Sequence, residues 1–384
     1  MARIDTAAIC ESKDGAAIAA CYIAPPLLGY VMPRLPVVIA AFLALSMPAR
    51  AEVGVTDGPK GVVVNPKNNK AYAVFPEQNL LKIVHGDGTV KELHTGGNVK
   101  NLTLDPRNGR VYAMNRGPGT VSVIDPDSDQ VIATIKADRG SLTALNPATN
   151  KLYVSASTGT DPSVVDLATG QSTVIHAGTE GNALSVNVAA NKIYFIGYED
   201  NFLTIVDGTT NQSTRLPVPG WHQWDSTFDE KTGKLYLPTP NNNCVTVINT
   251  AHGDTVSTIG TGGSPVAAAV NRATDMVYVV NYETSDVTVI NGATNTAVAT
   301  VPVGLWPQQI AVNEANGKVY VANMHAGSVS VIDGKTNKVV ATVPTGHAPW
   351  ALATNPVTGK VYVADRVDSS LTVIDGTTNR AVRK

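Results

Sequence analysis

The chain has 384 residues, with 33 Gly, 23 Pro and a formal net charge of −2. That length exceeds one small domain, and a hydrophobic share of 43 % supports a sizeable core and excludes a disordered chain. The charged share of 16 % and the slight negative balance exclude a global positive field. Nucleic acid or an anionic membrane would therefore have to be bound by a local patch.

Residues 32–51 read MPRLPVVIAAFLALSMPARA. Arg34 supplies a positive start, Leu35 to Met47 an apolar run too short to span a bilayer comfortably, and Ala49-Arg50-Ala51 a small-residue cleavage signal. This pattern predicts a signal peptide over 32–51, with a membrane anchor as the alternative, and a mature chain from Glu52. Residues 1–31 precede it as an extension outside the native product, with translation expected to start at Met32. The expected destination is the periplasm or the medium, with no stable membrane span after cleavage. Cys10 and Cys21 lie upstream, so the mature chain keeps Cys244 alone and forms no internal disulfide. Cys244 reads first as a small apolar residue beside the strand Val245–Ile248, and second as a reactive thiol.

The rest of the chain is one motif repeated eight times. Its anchor is a tyrosine following a basic or polar turn, at Tyr72, Tyr112, Tyr153, Tyr194, Tyr236, Tyr278, Tyr320 and Tyr362. The spacing is 40 to 42 residues throughout. The seventh unit shows the internal plan: QQIAVN (308–313), KVYVAN (318–323), SVSVID (328–333) and KVVATV (338–343). Each run alternates or is β-branched and is bounded by Gly, Asn, Asp or Pro, which predicts four short antiparallel strands, a to d. The c–d turns carry Asp125, Asp166, Asp207, Asp333 and Asp375, read as turn-capping carboxylates before calcium ligands, with Gly taking the positive φ. One such sheet cannot bury both faces alone. Stacking the units around an axis does so, which predicts an all-β fold over 52–384: a β-propeller of four-stranded antiparallel blades, eight in number with seven as the alternative. Closure is expected in the last blade, where Val53–Val55 and Arg380–Val382 complete one outer edge.

Tyr320-Val321-Ala322-Asn323, Tyr278-Val279-Val280-Asn281 and Tyr362-Val363-Ala364-Asp365 resemble the YVTN β-propeller repeat, and the following VID-G-x-TN-K-VVATV pattern extends the likeness. The resemblance runs from about residue 53 to the end and includes YncE-like exported proteins. It implies a propeller, usually seven-bladed, and single-stranded DNA as one class of partner; eight anchors depart from that count.

Candidate binding residues gather in the d–a and b–c connections, which in a propeller share one face. Trp221, Trp224, Trp306 and Trp350 are placed in d–a connections, and His222, His325 and His347 in d–a or b–c loops. Large aromatics outside the repeat core suggest a binding rim or a plug in the channel mouth. The residue twelve before each tyrosine is expected to ring the axis: Lys60, Lys100, Ser141, Asn182, Trp224, Val266, Gln308 and Trp350. Lys60, Lys100, Arg116, Arg139 and Arg366 would then form a basic arc ending at Trp350, opposite Glu199, Asp200 and Glu283 with Tyr198 and Tyr282. Such a face suits an anionic or ring-bearing ligand, single-stranded nucleic acid among them, or a protein partner. The chain is expected to act as a monomer.

Enzymatic motifs are thin: no G-x-S-x-G, H-E-x-x-H, C-x-x-C or phosphate loop occurs. No catalytic residue, resident metal or cofactor is assigned. Two chemical alternatives remain open. One is a lactonase-type hydrolase pairing Glu199 or Glu283 with His325 or Arg366. The other is a metal-dependent redox propeller using His222, His325 and His347.

Overall fold

In the computed structural model the described residues are 61–384, apart from 138–139, 157–160, 180, 198, 221–222 and 224. They all belong to a unit spanning Gly54–Lys384. The expected signal peptide, the extension before it, Val53–Val55 and Lys60 lie outside the described residues. Among the described residues no helix is long and apolar enough to cross a membrane.

Each repeat forms one four-stranded antiparallel sheet with strands in sequence order, eight sheets in all. Blade seven is representative, with strands Pro307–Asn313, Lys318–Asn323, Ser328–Asp333 and Lys338–Pro344. Strands b and c are buried on both faces, whereas strand d alternates little and is mostly exposed, as expected of the outer edge of a blade. The blades cover 62–93, 99–136, 143–174, 183–217, 227–260, 265–302, 307–344 and 349–383.

The repeated tyrosine explains the wheel. Tyr278 of blade six packs with Val319, Val321 and Ile332 of blade seven, and Tyr320 of blade seven packs with Val361, Val363 and Ile374 of blade eight. Tyr362 of blade eight packs with Ala71, Ala73 and Leu80 of blade one, so the last interface has the composition of the others and the ring is closed with eight blades. The basic residue two before the tyrosine works at the same seams. The Lys318 ammonium donates to the Gly376 carbonyl in the next blade's c–d turn, and the Lys360 ammonium donates to Gly86 of blade one at 3.1 Å. The stem of each lysine lies along the sheet while its charged end neutralises a turn carbonyl.

The c–d turns confirm the capping role of aspartate. Asp333 accepts from the amides of Lys335 and Thr336 at 2.8 and 3.2 Å, and Asp375 accepts from those of Thr377 and Thr378 at 2.9 Å each. The left-handed residue, however, is not the glycine expected there. Asn337 and Asn379 carry φ of 52° and 55°, and Gly334 and Gly376 are needed for space. A Cβ on Gly334 would stand 2.6 Å from the Gly317 carbonyl oxygen and 2.9 Å from the Tyr278 hydroxyl.

Candidate functional site

The innermost strands leave a cavity of about 580 Å³ on the axis, walled by a short segment from every blade. The expected count of twelve before the tyrosine holds in blades six, seven and eight, where Val266, Gln308 and Trp350 line it. Each of these strands opens on a proline and then bulges: register is lost between Pro265 and Ala267, Pro307 and Gln309, and Pro349 and Ala351. The unpaired residue of a bulge is re-aimed, here toward the axis. In blades two to four the wall is made one and two positions later, by Asn101 and Leu102, Leu142 and Thr143, and Ala183 and Leu184. Lys100, Ser141 and Asn182 do not line it, which corrects the expected register. Asp225 of blade five also faces the cavity, and its Oδ1 accepts from the Ser226 amide at 2.8 Å.

The mouth of the cavity is set by hydrogen bonds between the loop entering a blade and that blade's b–c loop. Tyr282 and Glu283 donate their amides to Ser264 and Gly263, Met324 and His325 to Trp306 and Leu305, and Arg366 and Val367 to Ala348 and His347. This pairing is why d–a and b–c side chains share a face. It brings Trp306 and His325 together, with ring centroids 4.7 Å apart, and Trp306 also stacks on Tyr282 of the preceding blade at 5.6 Å. Tyr282 lines the cavity as well, so the aromatic cluster and the cavity form one continuous surface. Burial is the main cause that raises the Tyr282 phenol above its ordinary value, with Glu283 adding to it.

The other predicted residues divide. Trp350 belongs to strand a of blade eight (Pro349–Thr354) rather than to a d–a connection, and the Arg366 guanidinium lies 5.3 Å over its ring. The Arg366 side chain is 11 % exposed and pairs with Glu77 of blade one at 3.3 Å across the closing seam. His347 faces Asp368, with Nδ1 2.7 Å from the carboxylate, and Arg383 lies 3.3 Å from the same group. That carboxylate is held below its usual range, first by the His347 amide and then by the imidazole. Arg116 is half-buried and donates its amide to Asn98 at 2.9 Å. Trp221, His222, Trp224, Arg139 and Tyr198 lie outside the described residues, as Lys60 does. Among the described residues no three His, Cys, Asp or Glu side chains are grouped to hold a metal ion. Cys244 opens strand c of blade five (Cys244–Asn249) and is buried, which pushes its thiol up and leaves it a packing residue.

Asp225 and Gln309 entered no sequence expectation. Both follow by one residue a position that was counted, so the signal was present and the register hid it.

No family model matches the chain, and no curated protein matches it either. Solved structures do. The dihydro-heme d1 dehydrogenase NirN is 15 % identical with a TM-score of 0.69, covering 86 % of this chain and 75 % of that one. Sqt1 of Saccharomyces cerevisiae is 11 % identical with a TM-score of 0.68, covering 83 % and 96 %. Streptogramin B lyase is 11 % identical with a TM-score of 0.55, covering 81 % and 91 %. At these identities the likeness shows the β-propeller fold alone, on which enzymes and binding proteins are both built.

Proposed function

We propose that the chain is an exported, ligand-binding propeller of the YVTN-repeat kind, and that its ligand enters the axial cavity across the Trp306 rim. The observation that carries the reading is the double role of Tyr282, which is cavity wall and stacking partner of Trp306 at once. A cavity of this size takes a small molecule or the tip of a larger one, and an aromatic cluster at its lip gives area at low conformational cost.

The test is a thermal-shift screen of sugars, lactones, oligonucleotides and divalent metals against the purified mature protein. A specific ligand raises the melting temperature by mass action. Replacing Tyr282 by Ala should abolish that rise. A rise that survives the substitution would place the ligand elsewhere.

A further inference from the structure

Trp306 occupies a position where the backbone disfavours a large side chain. Its φ is 51°, in the left-handed region, and it immediately precedes Pro307. Such a conformation is uncommon for any non-glycine residue and more so for a bulky one, and a following proline restricts the residue further. The equivalent turns of the neighbouring blades meet the same demand with small residues, Ser264 at 53° before Pro265 and Ala348 at 54° before Pro349. Blade seven alone of the three puts an indole there.

That indole is not explained by packing. Trp306 is 40 % exposed and the adjacent Leu305 is 55 % exposed. It is not among the residues that line the cavity, whereas Trp350 is part of the wall. It is nevertheless held firmly. Its carbonyl accepts from the Met324 amide at 3.0 Å, its amide donates to the Ser285 hydroxyl at 3.4 Å, and Tyr282 and His325 flank the ring. A strained, part-exposed indole held between hydrogen bonds and ring contacts at the lip of a cavity with both polar and apolar walls has the properties of a platform for a ligand ring.

The chemistry of the wall narrows the ligand. Beside Tyr282, the described polar groups are the amides of Asn101, Gln308 and Gln309, the hydroxyls of Thr143 and Ser264, and the carboxylate of Asp225. No lysine or arginine is among the described lining residues. Amides, hydroxyls and one carboxylate match the alternating donors and acceptors of a polyol. The electron-rich face of an indole attracts the slightly positive C–H groups on one side of a pyranose.

Resting on the ligand-binding reading above, we propose that Trp306, with Tyr282 and His325 beside it, is the stacking subsite for an uncharged carbohydrate whose hydroxyls reach the polar groups of the cavity wall. The experiment is calorimetric titration of the mature protein with three neutral trisaccharides (cellotriose, maltotriose and N-acetylated chitotriose) and with a dT12 oligonucleotide, at low and high salt. The expected result is binding of at least one trisaccharide with little salt dependence. Trp306→Ala should weaken it at least about tenfold, as truncating an aromatic anchor does. The melting temperature of Trp306→Ala should stay level or rise, because Ala348 shows that alanine suits this backbone. Trp306→Tyr should retain most of the affinity. Salt-sensitive binding of dT12 alone, lost in Trp306→Ala, would overturn the carbohydrate assignment and leave the binding face standing. Trisaccharide binding unchanged in Trp306→Ala would also overturn the assignment. No binding of any probe up to millimolar concentration would overturn the carbohydrate assignment, while the wider ligand screen decides the binding face separately.

Discussion

The Asp365 carboxylate accepts hydrogen bonds from the hydroxyls of Thr372 at 2.6 Å and Ser370 at 3.1 Å, where blade seven has the Asn323 amide donating to Ser330 at 2.9 Å and Ser328 at 3.2 Å. The last residue of the Y-V-x-N signature is thus a clip between strands b and c, and blade eight makes the clip with an acid. Asp365 is fully buried, and that burial raises its pKa above the ordinary value against the opposing pull of the two hydroxyls and the Gly346 amide.

A raised carboxyl pKa favours the fold while the group is protonated, and that contribution is lost as pH rises through the folded value. Ionising Asp365 in this buried site therefore costs stability. Asp365→Asn should raise the melting temperature increasingly as pH is taken above the ordinary carboxylate value of about 4, and change it least in acid. Thermal unfolding of both proteins across that range measures the effect; a neutral-pH loss of stability would show that the charge is needed.

The exposed turn carboxylates act in the opposite direction. Backbone amides hold Asp125, Asp166, Asp207 and Asp375 below the usual carboxylate value. A lowered pKa contributes stability above the unfolded value, and that part is lost as pH falls through the folded value. Melting temperature should fall on acidification below about pH 4, and Asp375→Ala should make that fall shallower. Equal slopes in both proteins would argue against the capping role.

Gly304 lies against the clip of blade seven. A Cβ there would stand 2.6 Å from the Asn323 side-chain amide and 2.8 Å from its Cβ. Gly304→Ala should destabilise by about 1–3 kcal/mol through overpacking, read by denaturant unfolding. A neutral result would show that the loop shifts freely.

Tyr362 fills the seam that closes the ring. Tyr362→Ala should cost about 3–5 kcal/mol, the loss expected for emptying a buried aromatic site. Calorimetry should show one transition shifted down rather than a separate early melting of blade eight. Tyr278→Ala, at a seam inside the repeat series, should cost a similar amount.

The wheel was legible because its determinants are local and repeated. A tyrosine every 40 to 42 residues, in most repeats a lysine or arginine two before it, and an Asp- or Asn-capped turn after it recur in successive blades. The rim was legible only in part. Trp306 and His325 fell together because the loops that carry them are hydrogen-bonded neighbours within one blade. The contact of Arg366 with Glu77, far away in the chain, is a pairing that only closure creates and no local pattern announces. The wall register follows no such local rule: blade two bulges at Lys100 as blades six to eight do at Val266, Gln308 and Trp350, yet it lines the cavity with Asn101 and Leu102.

The cavity wall takes a short stretch from each repeat, while the seams rest on Tyr and Lys placed ten or so residues later. Recognition and cohesion overlap in part of the wall, where Asn101 accepts from the Thr143 amide and hydroxyl of the next blade and Ala351 and Leu352 also fill seams. A change at Gln308, which carries no such contact across a seam among the described residues, redraws one sector of the interior and leaves the hoop intact. Such a scaffold can drift from one small molecule to another, sector by sector, without passing through an unfolded intermediate sequence.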